Sequence, residues 1–264
     1  MGHESGITMA ADHRDVVERG LRLKKIGNEL LEILGGRPIL KNNVTVGGFY
    51  RAPSRKKLQA LLPDLEWGLR AAIDTVAFLA GLDFPNFSLP YDCVSLKHPD
   101  EFPMNEGRVV SSSGLDIAVD EYETHFEERH MPQSNALHSV MVPGEQHYLV
   151  GPLARVNNCY DELGPAARRA ADSCGIDWPS SNNFQSIVAR AIEVVGAYEE
   201  AIEIVKDYQC EPTEPRILYE PRAGEGCHAT EAPRGLIYHR YRIGEDGKIA
   251  EAKIVPPTSQ NQGC

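Results

Sequence analysis

The chain has 264 residues, long enough for one large domain or two small ones with a real core. Hydrophobic residues make up 42% and charged residues 25%, as in ordinary soluble globular proteins, and the formal net charge is −11. That balance argues against nucleic acid or an anionic membrane surface as a partner, since both are bound through a basic face. No apolar run reaches the roughly 18 residues of a membrane span. The start, Met1-Gly2-His3-Glu4-Ser5-Gly6, has neither the basic region nor the apolar stretch of a signal peptide, so the expected location is cytoplasmic.

The first predicted element is a helix capped by Asp12, carrying Val16, Leu23, Ile26, Leu30 and Leu34 at helical spacing and stopping at Gly35-Gly36. Ser54 opens a second helical region, broken near Pro63 and resuming through Leu65, Leu69, Ile73, Val76 and Leu79 to Gly81. Short strands follow at residues 93–96 and 115–119. A third long helix spans 183–207, with Ile187, Val188, Ala191, Ile192, Val195, Tyr198, Ile202 and Val205. These amphipathic stripes read as core and not as cofactor contacts. Near the end, residues 236–243 and 248–255 alternate about Gly244-Glu245-Asp246-Gly247, a hairpin signal. Hairpin ends are neighbours, so Arg234 and Thr258 are expected close together. The predicted fold class is α+β, mainly helical: a long-helix core with short strands over 1–230 and a C-terminal β-hairpin over 231–264, in one domain over 1–264.

Six cysteines, Cys93, Cys159, Cys174, Cys210, Cys227 and Cys264, are widely and unequally spaced. They form no Cys-x-x-Cys pair and no disulfide-scaffold pattern, and they read as reduced thiols. Cys227-His228 is adjacent in sequence, where side chains diverge, and makes a weak ligand pair. His125, Glu127, Glu128 and His130 share a helix face if that stretch is helical, but they sit in an acidic run that reads as solvated. His239 reads as a hydrogen-bonded strand histidine, and Arg155, in Gly151-Pro152-Leu153-Ala154-Arg155, as a structural residue in an ion pair.

Four motifs occur in one order: Val46-Gly47-Gly48-Phe49; Tyr148-Leu149-Val150-Gly151-Pro152-Leu153-Ala154-Arg155-Val156-Asn157; Glu231-Ala232-Pro233-Arg234-Gly235; and Val255-Pro256-Pro257-Thr258-Ser259-Gln260-Asn261. Together they resemble the large (alpha) subunit of nickel–iron hydrogenases, in the cytoplasmic group coupled to soluble electron carriers. The resemblance spans nearly the whole chain. It implies reversible H2 oxidation, with electrons passing to an iron–sulfur small subunit, then to NAD(P)- or other carrier-reducing subunits. It also implies a centre of nickel and an iron bearing cyanide and carbon monoxide, held by two Cys-x-x-Cys pairs that this chain lacks. The chain is therefore expected to be an internal fragment, with Met1 an internal methionine and no metal centre bound by it alone.

By the same resemblance, Arg234 is the catalytic arginine over the metal pair, with Pro233 fixing its backbone. Thr258 donates to an iron cyanide, with Pro257 packed beside it, and the Ile254 carbonyl contributes to a magnesium-type site. The chain departs from the family at Gly35-Gly36-Arg37-Pro38-Ile39, where His-Pro is common after the turn. A truncated, non-catalytic scaffold of the same fold is the alternative. A respiratory quinone-reductase subunit of the same superfamily is more distant, because Glu231-Ala232-Pro233-Arg234-Gly235 argues against it.

Overall fold

A computed structural model of the chain describes residues 2–209 and 213–264; Met1 and Cys210, both named above, lie outside the described residues. The chain forms two compact units, Met1–Leu79 with Val194–Glu220, and Ala80–Glu193 with Pro221–Cys264.

The first unit is built from helices. Gly6–Asp12 is a short helix capped by Ser5, whose Oγ accepts from the Thr8 amide at 3.2 Å. Asp12 is its last residue and caps nothing, contrary to expectation. The long helix Arg14–Gly35 starts after His13 and ends at Gly36, whose left-handed φ of 81° suits glycine. The helix Arg55–Ala80 runs unbroken through Pro63. Proline removes only one intrahelical hydrogen bond there, and the buried stripe Leu58, Leu61, Leu65, Ala72 and Val76 holds both halves in line.

Gly68 sits on that stripe because the Tyr198 ring fills the space a Cβ would occupy. The Tyr198 hydroxyl donates to the Leu23 carbonyl at 2.8 Å. Gly68→Ala is expected to destabilise the protein by about 1–3 kcal/mol through overpacking, seen as a lower thermal midpoint; an unchanged midpoint would show that Tyr198 can move aside. In the motif Val46-Gly47-Gly48-Phe49, Val46 and Gly47 form the turn between two two-residue strands, Val44–Thr45 and Gly48–Phe49. Its backbone is gripped by Pro215 and Ile217: the Phe49 amide donates to the Pro215 carbonyl at 3.0 Å and the Ile217 amide to the Gly47 carbonyl at 2.9 Å.

The second unit carries the sheets. Asp116–Ile117, Arg108–Ser111, Asp92–Lys97 and Tyr148–Leu149 form a four-stranded sheet in that order, the last pair parallel. The C-terminal hairpin is present, but Gly224–Ala232 joins it as a third strand, so the order is Ile249–Val255, Gly235–Ile243, Gly224–Ala232. Phe126–His130 pairs antiparallel with Leu137–Met141. That pairing corrects the helical reading of Glu127, Glu128 and His130, while His125 ends the one-turn helix Tyr122–His125: along a strand, neighbours alternate faces and the i, i+3 argument fails. The expected third helix begins as a single 3₁₀ turn, Asn183–Gln185, and continues as Ser186–Asp207.

The core of this unit joins residues from both larger sheets: Val94, Leu96, Val109, Tyr148, Leu236, Tyr238 and Val255. Tyr122 stacks on Tyr238 and Phe126, with ring centroids 4.3 and 4.6 Å apart. Beside this stack, Glu123 accepts from Arg240 Nε at 2.6 Å, Lys253 Nζ at 2.9 Å and the Tyr238 hydroxyl at 3.0 Å. Burial pushes the Glu123 carboxyl up, but the Lys253, Arg240 and Tyr238 donors outweigh it and hold it below the ordinary carboxylate range. A depressed folded pKa gives stability that is present above the unfolded value of about 4.3 and lost as pH falls through the folded one. Glu123→Gln should therefore cost roughly 1 kcal/mol at neutral pH and flatten the acid limb of the pH–stability curve in urea melts. An acid limb identical to that of the parent would refute this account.

Candidate active site

Three of the four motifs meet at one corner of the second unit. Ala232 pairs with Gly235 across the first hairpin of the C-terminal sheet, which leaves Pro233 and Arg234 as its two-residue tip. Gly235 has φ 139° and Gly151 has φ 115°, both in the region that favours glycine. A Cβ on Gly151 would lie 2.7 Å from the Arg234 carbonyl oxygen, and one on Gly235 would overlap the Val150 side chain. The two glycines thus let the backbones of two motifs touch.

The third motif locks them. Asn261 accepts from the Val150 amide through Oδ1 at 2.8 Å and donates to the Arg234 carbonyl through Nδ2 at 3.3 Å. Gln260 is fully buried and donates to the Leu236 carbonyl at 2.5 Å, while its Oε1 accepts from the Tyr148 hydroxyl at 3.3 Å. Tyr148 also lies 2.8 Å from the Ser139 hydroxyl, and burial pushes its own phenol well above its ordinary range.

Behind this corner lies a buried charge cluster. Arg155, on the helix Pro152–Asn158, is 1% exposed. It donates through Nε and one terminal nitrogen to both oxygens of Glu193, at 2.6 and 2.8 Å. Its other terminal nitrogen donates to Glu231 at 2.8 Å and to the Ala232 carbonyl at 3.0 Å. Glu231 also accepts from the Leu96 amide at 2.8 Å. Burial works against the Arg155 charge, but Glu193 and Glu231 outweigh it and raise the guanidinium pKa. Burial likewise pushes the Glu231 carboxyl above the ordinary range, with Arg155 and the Leu96 amide pulling the other way. The ion pair expected for Arg155 is present, and its partners are Glu193 and Glu231. Glu193 carried a signal, a lone carboxylate in the apolar run Ala191-Ile192-Glu193-Val194-Val195.

Arg234 and Pro233 are exposed at the hairpin tip, and Pro257 is buried at the start of the short helix Pro257–Asn261. Thr258 is exposed in that helix's first turn and not at a strand end. The Ile254 side chain, on the strand Ile249–Val255, is 47% exposed. His239 Nδ1 lies 2.9 Å from the Tyr241 hydroxyl, a strand histidine with a polar neighbour. A metal site does not assemble: among the described residues no three His, Cys, Asp or Glu side chains are grouped so as to hold an ion. Cys93, Cys159 and Cys174 are buried free thiols, and burial pushes Cys159 up to about 12, far from the thiolate a soft metal requires. Among the described residues the donor set therefore does not fit a nickel–iron centre as ligands. Arg234 and Thr258 are exposed donors and not metal ligands.

No protein-family model matches the chain. It is 28% identical to the sulfhydrogenase 1 alpha subunit of Pyrococcus furiosus, over 98% of this chain and 61% of that protein. It is 26% identical to a vhu subunit of the F420-non-reducing hydrogenase of Methanococcus voltae, over 94% of this chain and 63% of that one. The fold superposes on the crystal structure of an NAD+-reducing nickel–iron hydrogenase in the H2-reduced state with a TM-score of 0.86 at 23% identity, covering 98% of this chain and 62% of that one. The chain is a homologue of hydrogenase alpha subunits. It spans about three-fifths of the length of these relatives. Its fold is that of the nickel–iron hydrogenase large subunit, with mixed helices and sheets and a three-stranded C-terminal sheet. No helix among the described residues is long and apolar enough to cross a membrane.

Proposed function

We propose that this chain supplies the arginine-bearing wall of a nickel–iron hydrogenase active site, within a large subunit that interconverts H2 with two protons and two electrons. The observation that carries the reading is the convergence of the Gly151, Arg234 and Asn261 motifs on one backbone knot, which leaves the Arg234 side chain exposed on a rigid two-residue turn. The nickel–iron centre of that family supplies the redox chemistry. Arg234 is assigned as the fixed positive charge beside the reacting H2, a role suited to a guanidinium that stays charged and presents donors in a set plane. Pro233 restricts the turn that carries it, and Thr258 is assigned as a hydroxyl donor to an iron ligand, with Pro257 holding the helix start. Ile254 is assigned a carbonyl ligand role at a magnesium-type ion.

Electrons would leave through an iron–sulfur small subunit toward a soluble carrier. Relatives over part of the chain are named as an iron-sulfur subunit of the F420-non-reducing hydrogenase in Archaeoglobus profundus and as the beta subunit of an NAD-reducing hydrogenase in Cupriavidus necator, names that point to multi-subunit redox enzymes. The thiolates that hold nickel would come from segments other than these 264 residues, since none of the six cysteines forms a Cys-x-x-Cys pair. That same absence favours a second reading, a non-catalytic scaffold of the fold.

Metal analysis and hydrogen uptake separate the two. The large subunit that contains this chain, assembled with its partner, should hold stoichiometric nickel and reduce a viologen dye under H2. Assembly without nickel or uptake would establish the scaffold reading. Stoichiometric nickel on the 264-residue chain alone would contradict the claim that the thiolates lie elsewhere.

A further inference from the structure

We infer that Arg155, held from behind by Glu193, is a positioning residue for Arg234, acting through Glu231 and the Ala232 carbonyl. The catalytic half of this inference rests on the role proposed above for Arg234; the mechanical half does not. One guanidinium spans Glu193 on the helix Ser186–Asp207 and Glu231 on the strand Gly224–Ala232, using four donor contacts of 2.6–3.0 Å. Its contact with the Ala232 carbonyl falls on the residue that closes the Pro233-Arg234 turn. Glu231 is tied in turn to Leu96, and its amide donates to the Met104 carbonyl at 2.6 Å. The strand is therefore anchored laterally in the last two residues before the tip, while Asn261 and Gly151 hold the tip from the other side.

The two sets of contacts divide the work. Asn261 touches the Arg234 carbonyl directly, whereas Arg155 meets no atom of Arg234 among the described residues. What Arg155 fixes is the level of the strand from which the turn springs. A purely hydrophobic filler would pack the same space without fixing that register, because dispersion contacts are not directional. A lysine would keep the charge but cannot make a bidentate contact with Glu193 while also reaching Glu231 and the Ala232 carbonyl. Catalytic donors tolerate little misplacement, and a shift near 1 Å can lower a rate about 100-fold.

The test uses Arg155→Lys and Glu193→Gln. On the 264-residue chain, hydrogen–deuterium exchange should show residues 231–236 exchanging about tenfold faster in Arg155→Lys, with protection of residues 92–97 retained. In the assembled hydrogenase, kcat for H2-dependent dye reduction should fall about 100-fold in Arg155→Lys and less in Glu193→Gln, with KM for the dye unchanged. Uniform loss of protection across the unit, or kcat retained in soluble variant enzyme, would overturn the inference and leave Arg155 a stability residue only. A parent enzyme that neither binds nickel nor takes up H2 would instead remove the hydrogenase reading, and with it the catalytic half of this one. Faster local exchange in Arg155→Lys would still uphold the mechanical half.

Discussion

Arg155→Met is expected to lower the stability of the protein by about 3–5 kcal/mol at neutral pH, the usual cost of removing one partner from a buried ion pair. The variant should unfold at a much lower urea concentration than the parent. The reason lies in what stays behind. Glu193 and Glu231 would remain in a dry interior without their shared counter-charge, and Glu231 would keep only the Leu96 amide.

The pH dependence gives the account a sign. Glu231 already has a folded pKa above its unfolded value, so its contribution is complete below about pH 4.3 and declines as pH rises through the folded pKa. Removing Arg155 withdraws a group that lowers that pKa. The folded value therefore climbs further, and the loss with rising pH grows. The deficit of Arg155→Met relative to the parent should be larger at pH 7 than at pH 5. Urea titrations at the two values decide it, and an equal or larger deficit at pH 5 would show that lost packing dominates over stranded charge.

Some of this architecture is legible in the amino-acid sequence, and the illegible parts fail for identifiable reasons. Helices over residues 14–35 and 186–207 follow from apolar spacing, and the end of the first from Gly36 in its left-handed cap. Pro63 marks where a local rule loses to tertiary packing, since one missing hydrogen bond is outweighed by a continuous buried face. The strand Gly224–Ala232 reads Gly-Glu-Gly-Cys-His-Ala-Thr-Glu-Ala, with one β-branched residue and no large apolar one, so nothing local announces it. It is strand only because Gly235–Ile243 pairs with it along its whole length. Phe126–His130 hid in the same way behind an acidic composition, and became strand by pairing with Leu137–Met141.

At the candidate site, the motifs were visible individually, but their contact was not. Gly151 and Gly235 each look like a plain turn until one is seen against the other, each leaving room for the other's backbone. Thr258 too sits differently from expectation, exposed on the first turn of a helix that starts at Pro257 and not at a strand end.

Arg234→Lys is expected to lower kcat for H2 oxidation by roughly 100- to 1000-fold in the assembled enzyme, the loss typical of removing one preorganised donor from a reacting centre. KM for the electron carrier should not change, because the carrier is reduced elsewhere. Folding stability should move by less than about 0.5 kcal/mol, because the side chain is exposed at a hairpin tip and its carbonyl, not its guanidinium, carries the contacts with Gly151 and Asn261. That combination separates Arg234 from Arg155. Lysine at position 155 disturbs the scaffold and reaches the chemistry through it, whereas lysine at position 234 leaves the scaffold intact and removes a fixed fork of donors. Chemical melts and H2-uptake kinetics on the same preparations test both halves. A large drop in stability would place Arg234 in the fold's own support, and retained kcat would show that a point charge suffices where a planar one was assigned.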